Sequence, residues 1–267
     1  MPAEGQAGEQ SKTFHTKPEE EEKALSELKK RLAEEGTDVS KLEDSHLRKF
    51  IMARKLDVDR AHQLVKLYRE IKEELFPDGL TRLTPSVAGA LEIGKVMILP
   101  FRDDIGRRII QVKTSLHFPS KASAEDVARP VLYCLHSILQ EEETIRSGFI
   151  LLFNGYNAGF RNLDRRIPKT MMRIFQNHMP ARFARFVIYK PPIFVRLLWP
   201  LLSRLMKAKL RKRVALFNTR EDLVSKIGVA DQEGMLSFLL DTKSWNGEVR
   251  KDWQKFTLVD ENEDVSY

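Results

Sequence analysis

The sequence predicts an α/β protein: a mainly parallel β-sheet floor with helices packed on it, preceded by a small all-α N-terminal subdomain. Three observations lead there. From residue 96 onward, short runs of Val, Ile, Leu and Phe alternate with longer runs of helical periodicity, the grammar of a parallel sheet with crossover helices. One run, residues 148–153 (GFILLF), is apolar at every position after Gly148, as expected of a strand buried on both faces. Before residue 80 apolar residues recur at spacings of three and four, with no strand-type run.

Residues 1–18 are mostly Gly, Glu, Gln, Ser and Lys, a composition that buries too little apolar surface to fold, so they read as a disordered tail. Residues 19–33 place Leu25, Leu28 and Leu32 on one face of a charged helix. Asp38 and Ser40 offer a helix start before Leu42, Leu47, Phe50 and Ile51. Asp57 or Asp59 caps a further helix carrying Ala61, Leu64, Val65, Tyr68 and Ile71. The helical unit therefore runs over 19–80 and the sheet domain over 85–242. In the latter, residues 96–101 and 108–113 are strand-type runs around a turn that holds Asp103, Asp104 and Gly106. A helix is expected over 123–146, a strand over 148–153, a loop over 154–162 and a helix over 168–177. A strand over 185–189, an apolar helix, a strand over 214–217 and helices over 219–227 and 231–240 complete the domain. Residues 243–267 read as a polar tail with Trp245 and Trp253 as local anchors.

A chain of 267 residues with 42% hydrophobic content is large enough for a substantial core. The single cysteine, Cys134, excludes an internal disulfide framework, and its apolar neighbours (LYCLHSI) suit a buried structural thiol. The polar, acidic first 22 residues lack the shape of a secretory signal, and no apolar run approaches the ~18–20 residues that span a bilayer. A cytoplasmic protein with peripheral membrane association is expected. The glycine-rich nucleotide loops, the GxSxG elbow and the HExxH zinc motif are all absent from the sequence. His15, His46, His62, His117, His136 and His178 are scattered, and Asp103 and Asp104 belong to a turn. No catalytic residues, metal or cofactor are expected; a binding module is.

Charge is concentrated in one block. Between residues 182 and 213 there are ten Lys or Arg and no acid, in a chain whose net charge is +7, so the remainder sums to −3. Inside that block residues 193–206 are dominated by Ile, Phe, Val, Leu, Trp and Met. Apolar bulk fenced by cations suits an anionic membrane surface. It equally suits an ordinary core helix whose C-terminal cations complement the helix dipole. Nucleic acid is not expected as a partner, because stacking aromatics are sparse in the block.

Several segments resemble the CRAL-TRIO domain family of tocopherol-, retinaldehyde- and phosphatidylinositol-transfer proteins. Residues 47–61 (LRKFIMARKLDVDRA) resemble its N-terminal helical signature, and residues 102–107 (RDDIGR) its D-x-x-G-R turn. Residues 148–153 resemble its central strand, and residues 179–182 (MPAR) its Phe-Pro-x-Arg segment. Pro192, Ile193 and Phe194 resemble the start of its mobile gate helix. The branch that looks most similar is the module found in front of a cytosolic tyrosine phosphatase. The resemblance implies one hydrophobic lipid in an enclosed apolar pocket under the gate helix, exchanged with membranes. Implied lining groups are Ile98, Ile110, Val112, Ile150, Leu152, Val187, Phe194, Leu197, Leu198, Leu201 and Leu202. An implied mouth of Arg182, Arg185, Lys190, Lys209, Arg211 and Arg213, with Trp199, meets phosphoinositides or another anionic membrane surface. Ala181 stands where phosphatidylinositol-transfer members carry Glu, which favours surface contact over an inositol held in the pocket. The alternative is a non-transferring, lipid-sensing adaptor that recruits a protein partner through the N-terminal helices. Retinoid, tocopherol, squalene-like and phospholipid cargoes all suit such a pocket.

Overall fold

A strand that is apolar on both sides needs two covering layers, and a computed structural model supplies them. The structure describes residues 13–204, 208–229 and 239–241. The elements are α1 (Pro18–Glu34), α2 (Asp44–Ala53), α3 (Val58–Leu75), α4 (Pro85–Glu92), β1 (Val96–Arg102), β2 (Arg108–Lys113), α5 (Glu125–Ile138), α6 (Glu142–Ser147), β3 (Phe149–Asn154), α7 (Arg166–Arg173), β4 (Phe183–Tyr189), α8 (Ile193–Arg204), α9 (Ala208–Arg211), β5 (Val214–Phe217) and α10 (Arg220–Ile227). The five strands lie in chain order, β1-β2-β3-β4-β5. β1 and β2 form an antiparallel pair, and each later pair is parallel.

β3 occupies the centre, and all six of its residues are buried. Its register fixes two faces. Val112 of β2 lies beside Phe153, and Phe153 beside Ile188 of β4. Phe149, Leu151 and Phe153 thus share one face, which joins α1–α5 in a single apolar cluster. Ile150, Leu152, Val187, Tyr189, Ala215 and Phe217 form the other face, under Leu223 and Ile227 of α10. The β1–β2 turn is tied by a buried pair: Arg107 Nε donates to Asp103 Oδ2 at 2.7 Å, and both side chains are almost wholly inaccessible.

The N-terminal helices do not stand apart. Leu25, Leu28, Leu47, Phe50, Leu64 and Ile71 belong to the same cluster as the sheet. Arg146 of α6 pairs with Glu21 of α1 at 2.7 Å. Residues 13–18, part of the expected tail, are among the described residues. The Phe14 amide donates to the Arg146 carbonyl at 3.1 Å, and its ring packs on the core. Asp57 is the residue that caps α3, accepting from the Arg60 amide at 3.0 Å.

Three local expectations are corrected. The helix expected over 123–146 breaks after Ile138, and the break turns the Glu141 carboxylate onto Arg102 at 2.8 Å and Arg108 at 2.5 Å. The half-buried carboxylate thus clamps β1 and β2 where the helix ends. α4 was not anticipated, although Pro85 at its first turn is a common helix opener. The helix expected over 168–177 is α7 followed by a π-helical turn over Ile174–His178. The helix expected over 231–240 falls mostly outside the described residues, as do Trp245 and Trp253.

Candidate functional site

Between the sheet and α8 lies a cavity of about 210 Å³. One water needs only about 10–15 Å³, so the cavity is far too large for a packing defect. Its wall is almost wholly apolar. Val112, Phe153, Phe186 and Ile188 form the floor, Ile167, Met171, Met172 and Phe175 one wall, and Phe194, Val195 and Trp199 the roof. Phe153 and Phe186 stack, with ring centres 4.8 Å apart and planes 17° apart.

The chain reaches the roof through a tight passage. Gly155 follows β3, and a Cβ there would sit 2.5 Å from the Lys190 carbonyl oxygen and 2.9 Å from Pro192 Cδ. Only glycine lets the loop after β3 pass under the start of α8. Lys190 itself takes a left-handed conformation with φ 44°, a strained setting for a side-chain-bearing residue. Its ammonium pairs with Asp241 at 2.9 Å and lies over the Tyr156 ring at 4.7 Å. At the roof, Phe194 is buried against Phe160, ring centres 4.7 Å apart. Phe160 is 73% exposed.

One end of the cavity carries polar residues, and they satisfy one another. His117 Nε2 lies 3.0 Å from Asp164 Oδ2, and His117 Nδ1 lies 3.3 Å from the Lys95 ammonium. Asp164 accepts from Arg166 Nη2 at 2.7 Å, and the Arg166 guanidinium holds the Asp164 carboxyl well below the usual carboxylate range. Burial pushes the His117 imidazole below its ordinary value. Asn162 Nδ2 donates to the Ser115 and His117 carbonyls at 3.0 and 2.9 Å. The Thr114 hydroxyl donates to the Asn154 carbonyl at 2.9 Å.

The expected site residues separate into groups. Val112 and Phe194 line the cavity. Ile98 and Ile110 share the face of Val112 but are buried in the cluster with α5. Ile150, Leu152 and Val187 point to the opposite face and pack against α10, a one-residue slip of parity. Leu197, Leu198 and Leu201 face outward, 75%, 43% and 60% exposed. The Leu202 and Lys209 side chains lie outside the described residues. Trp199, expected at the membrane surface, lines the cavity instead.

The expected mouth is also redistributed. Arg182 and Arg185 are buried, 8% and 2% exposed, and bind main chain: Arg182 Nη1 donates to the Arg146 carbonyl, and Arg185 Nη1 to that of Lys226 at 2.6 Å. Arg213 Nη1 donates to the Phe183 carbonyl. Arg211 is exposed, as are Arg196, Arg204 and Lys212, which the expected set omitted. Sequence reasoning also missed α7 and the π-helical turn after it as a wall, although Met171, Met172 and Phe175 stand out in an otherwise basic stretch. No described helix is long and apolar enough to cross a membrane. Cys134 is fully buried, and burial pushes its thiol up to about 12.

The sequence profile of the CRAL/TRIO domain matches residues 92–232, more than half of the chain and the segment that builds the cavity. Over 176 residues, 65% of this chain, it is 30% identical to tyrosine-protein phosphatase non-receptor type 9 of Mus musculus, but this covers only 29% of that protein. It is 27% identical to clavesin-1 of Xenopus laevis over 65% of this chain and 54% of that one. It is 26% identical to the alpha-tocopherol transfer protein-like protein of Mus musculus over 77% of this chain and 62% of that one. The chain thus spans less than two thirds of each of these relatives. Among solved structures, Sfh5 superposes with a TM-score of 0.57 at 11% identity, covering 91% of this chain and 99% of that one, a likeness of fold.

Proposed function

From the premise that this chain belongs to the CRAL/TRIO domain family, whose members bind lipophilic ligands, we propose that it carries one lipophilic molecule in the cavity under α8 and exchanges it with membranes. One observation supports this above others: the roof of an apolar cavity is a helix whose outer face is itself apolar and exposed. Such a helix has a second partner to lie on when it leaves the first.

The energetics favour assisted exchange. A tail of about sixteen methylenes gains roughly 13 kcal/mol on leaving water, at ~0.8 kcal/mol each. A bilayer shelters it about equally, so the barrier is exposure on the way. With Ile193, Leu197 and Leu201 in the interface, α8 opens directly onto hydrocarbon. Opening separates Phe194 from Phe160, and the strained Lys190 before Pro191 and Pro192 is where the backbone turns. The docking surface is formed by Arg196, Arg204, Arg211 and Lys212 around that face, each worth on the order of 1 kcal/mol against anionic lipid. Buried Arg182 and Arg185 hold the fold together beneath it.

The test is transfer of a fluorescent lipophile between donor and acceptor vesicles. Transfer that rises with phosphoinositide or phosphatidylserine content, and loses that rise in the Arg204→Ala, Arg211→Ala double variant, is expected. Unchanged dependence on anionic lipid in that variant removes the docking assignment; absence of any captured lipophile removes the carrier reading.

A further inference from the structure

Away from a membrane, the outward face of α8 is apolar surface in water. Ile193, Leu197 and Leu201 are 70%, 75% and 60% exposed, and a contiguous apolar patch on a protein surface marks a place where something docks. Cations stand beyond its far end: Arg204 closes α8 and Arg211 closes α9, and both are exposed. The chain itself contains a segment of matching chemistry. Residues 253–259 (WQKFTLV) carry Trp253, Phe256, Leu258 and Val259 with a single charge, Lys255. Residues 260–264 (DENED) follow with four acids, and no Lys or Arg comes after Lys255. The apolar stretch precedes the acids, just as the apolar face of α8 precedes the cations.

The described chain stops at a fixed place close to that face. Leu239 and Leu240 are wholly buried, and the Leu240 carbonyl accepts from Asn154 Nδ2 at 2.6 Å. Asp241 accepts from the Tyr189 hydroxyl at 3.1 Å and pairs with Lys190 at 2.9 Å. Lys190 lies three residues before α8 begins. Residue 241 is therefore anchored near the start of the roof helix. With twelve residues α8 is about 18 Å long. The twelve residues from 242 to 253 span up to about 40 Å, so residues 253–264 have the reach to run along the whole face.

Resting on the assignment of that face to membrane contact, we propose that residues 242–267 of this chain cover it in solution. The apolar stretch lies on Ile193, Leu197 and Leu201, the acids lie on Arg204 and Arg211, and chain and membrane compete for one surface. A segment tethered this closely acts at an effective concentration of order millimolar, so a weak contact is enough to hold it. An anionic bilayer attracts the two arginines and repels the acids of the cover, and so displaces it. A neutral bilayer does neither. The cover thus makes docking selective for charged membranes, beyond what the cations achieve alone.

The experiment compares the 267-residue chain with a variant carrying Asp260→Asn, Glu261→Gln, Glu263→Gln and Asp264→Asn, by co-sedimentation with pure phosphatidylcholine vesicles. These vesicles have no net charge, so loss of four acids changes binding only by freeing the apolar face. The variant is expected to bind about tenfold more tightly, equivalent to about 1.4 kcal/mol. A Trp253→Ser, Phe256→Ser variant, which loses the apolar half of the cover, is expected to gain affinity likewise. Equal binding by all three proteins overturns the proposal and leaves the carrier reading standing. Carbodiimide crosslinking with peptide mass spectrometry reads the contact directly: links from Lys212 to Glu261 or Glu263 within a monomer are expected. Links found only between two chains assign the face to a second copy, and either that result or no link to these acids overturns the cover. Vesicle binding by none of the proteins, with phosphatidylserine vesicles included, defeats the membrane assignment and the competition together.

Discussion

Replacing Ile193, Leu197 and Leu201 together by Ser tests the division of α8 into two apolar faces. The three residues are four apart, so they share one face of the helix. They are 70%, 75% and 60% exposed, so the folded protein already leaves most of each side chain in water. Full burial of such a side chain is worth about 2 kcal/mol, so the exposed shares together represent roughly 4 kcal/mol available to a membrane. An interfacial helix immerses only part of that surface; half of it, about 2 kcal/mol, still corresponds to a roughly 30-fold change in affinity. The folded state loses little, because surface substitutions away from special features fall within about ±0.5 kcal/mol. Vesicle co-sedimentation should therefore show binding weakened ~30-fold or more, with an unchanged urea midpoint. Retention of full vesicle affinity would refute the outward face as the membrane contact. A loss of about 2 kcal/mol or more in stability would show instead that these side chains are buried in solution.

Three further outcomes are expected. Leu152→Ala, on the face away from the cavity, should cost about 2–5 kcal/mol of stability in urea unfolding without altering lipid capture, whereas Met172→Ala should alter capture at a smaller stability cost. His46 is buried beside Phe50, near Lys49 and His136, and burial first, then those cations, pushes it down to about 3. The unfolded chain therefore takes up the proton first, and stability falls as pH drops below about 6.5, by about 2 kcal/mol at pH 5; His46→Phe should flatten that slope in urea titrations at pH 7 and pH 5. Gly155→Ala forces the Lys190 carbonyl and Pro192 apart. It should cost about 1–3 kcal/mol and speed the loss of preloaded lipophile, read as a faster dissociation rate.

The five strands and the helix over the cavity were legible because each is a run of one period between turn residues. The side of the sheet was legible only where a polar residue broke the run. In β2, Gln111 separates Ile110 from Val112, and Val112 is on the cavity side. In β3 no polar residue interrupts Phe149 to Phe153, so alternation carries no sign, and Ile150 and Leu152 fell on the wrong face. In β4 a polar residue does break the run, and Val187 lies on the same face as Arg185, away from the cavity. Cations were illegible for a different reason. Arg182, Arg185 and Arg213 have the sequence signature of a surface patch, yet they bind main-chain carbonyls supplied by residues 30 or more positions away. The break at Glu141 depends likewise on Arg102 and Arg108, which no local window contains.

The roof helix is not a free flap. Three residues link β4 to α8, the chain runs on through α9 into β5, and β4 and β5 are hydrogen-bonded neighbours. Both ends of the roof segment thus lead into neighbouring strands of the same floor. In the proposed exchange, loading and unloading therefore share one doorway, on one side of the molecule. The carrier proposed above would then work as a scoop and not as a tunnel, turning to face each bilayer in succession.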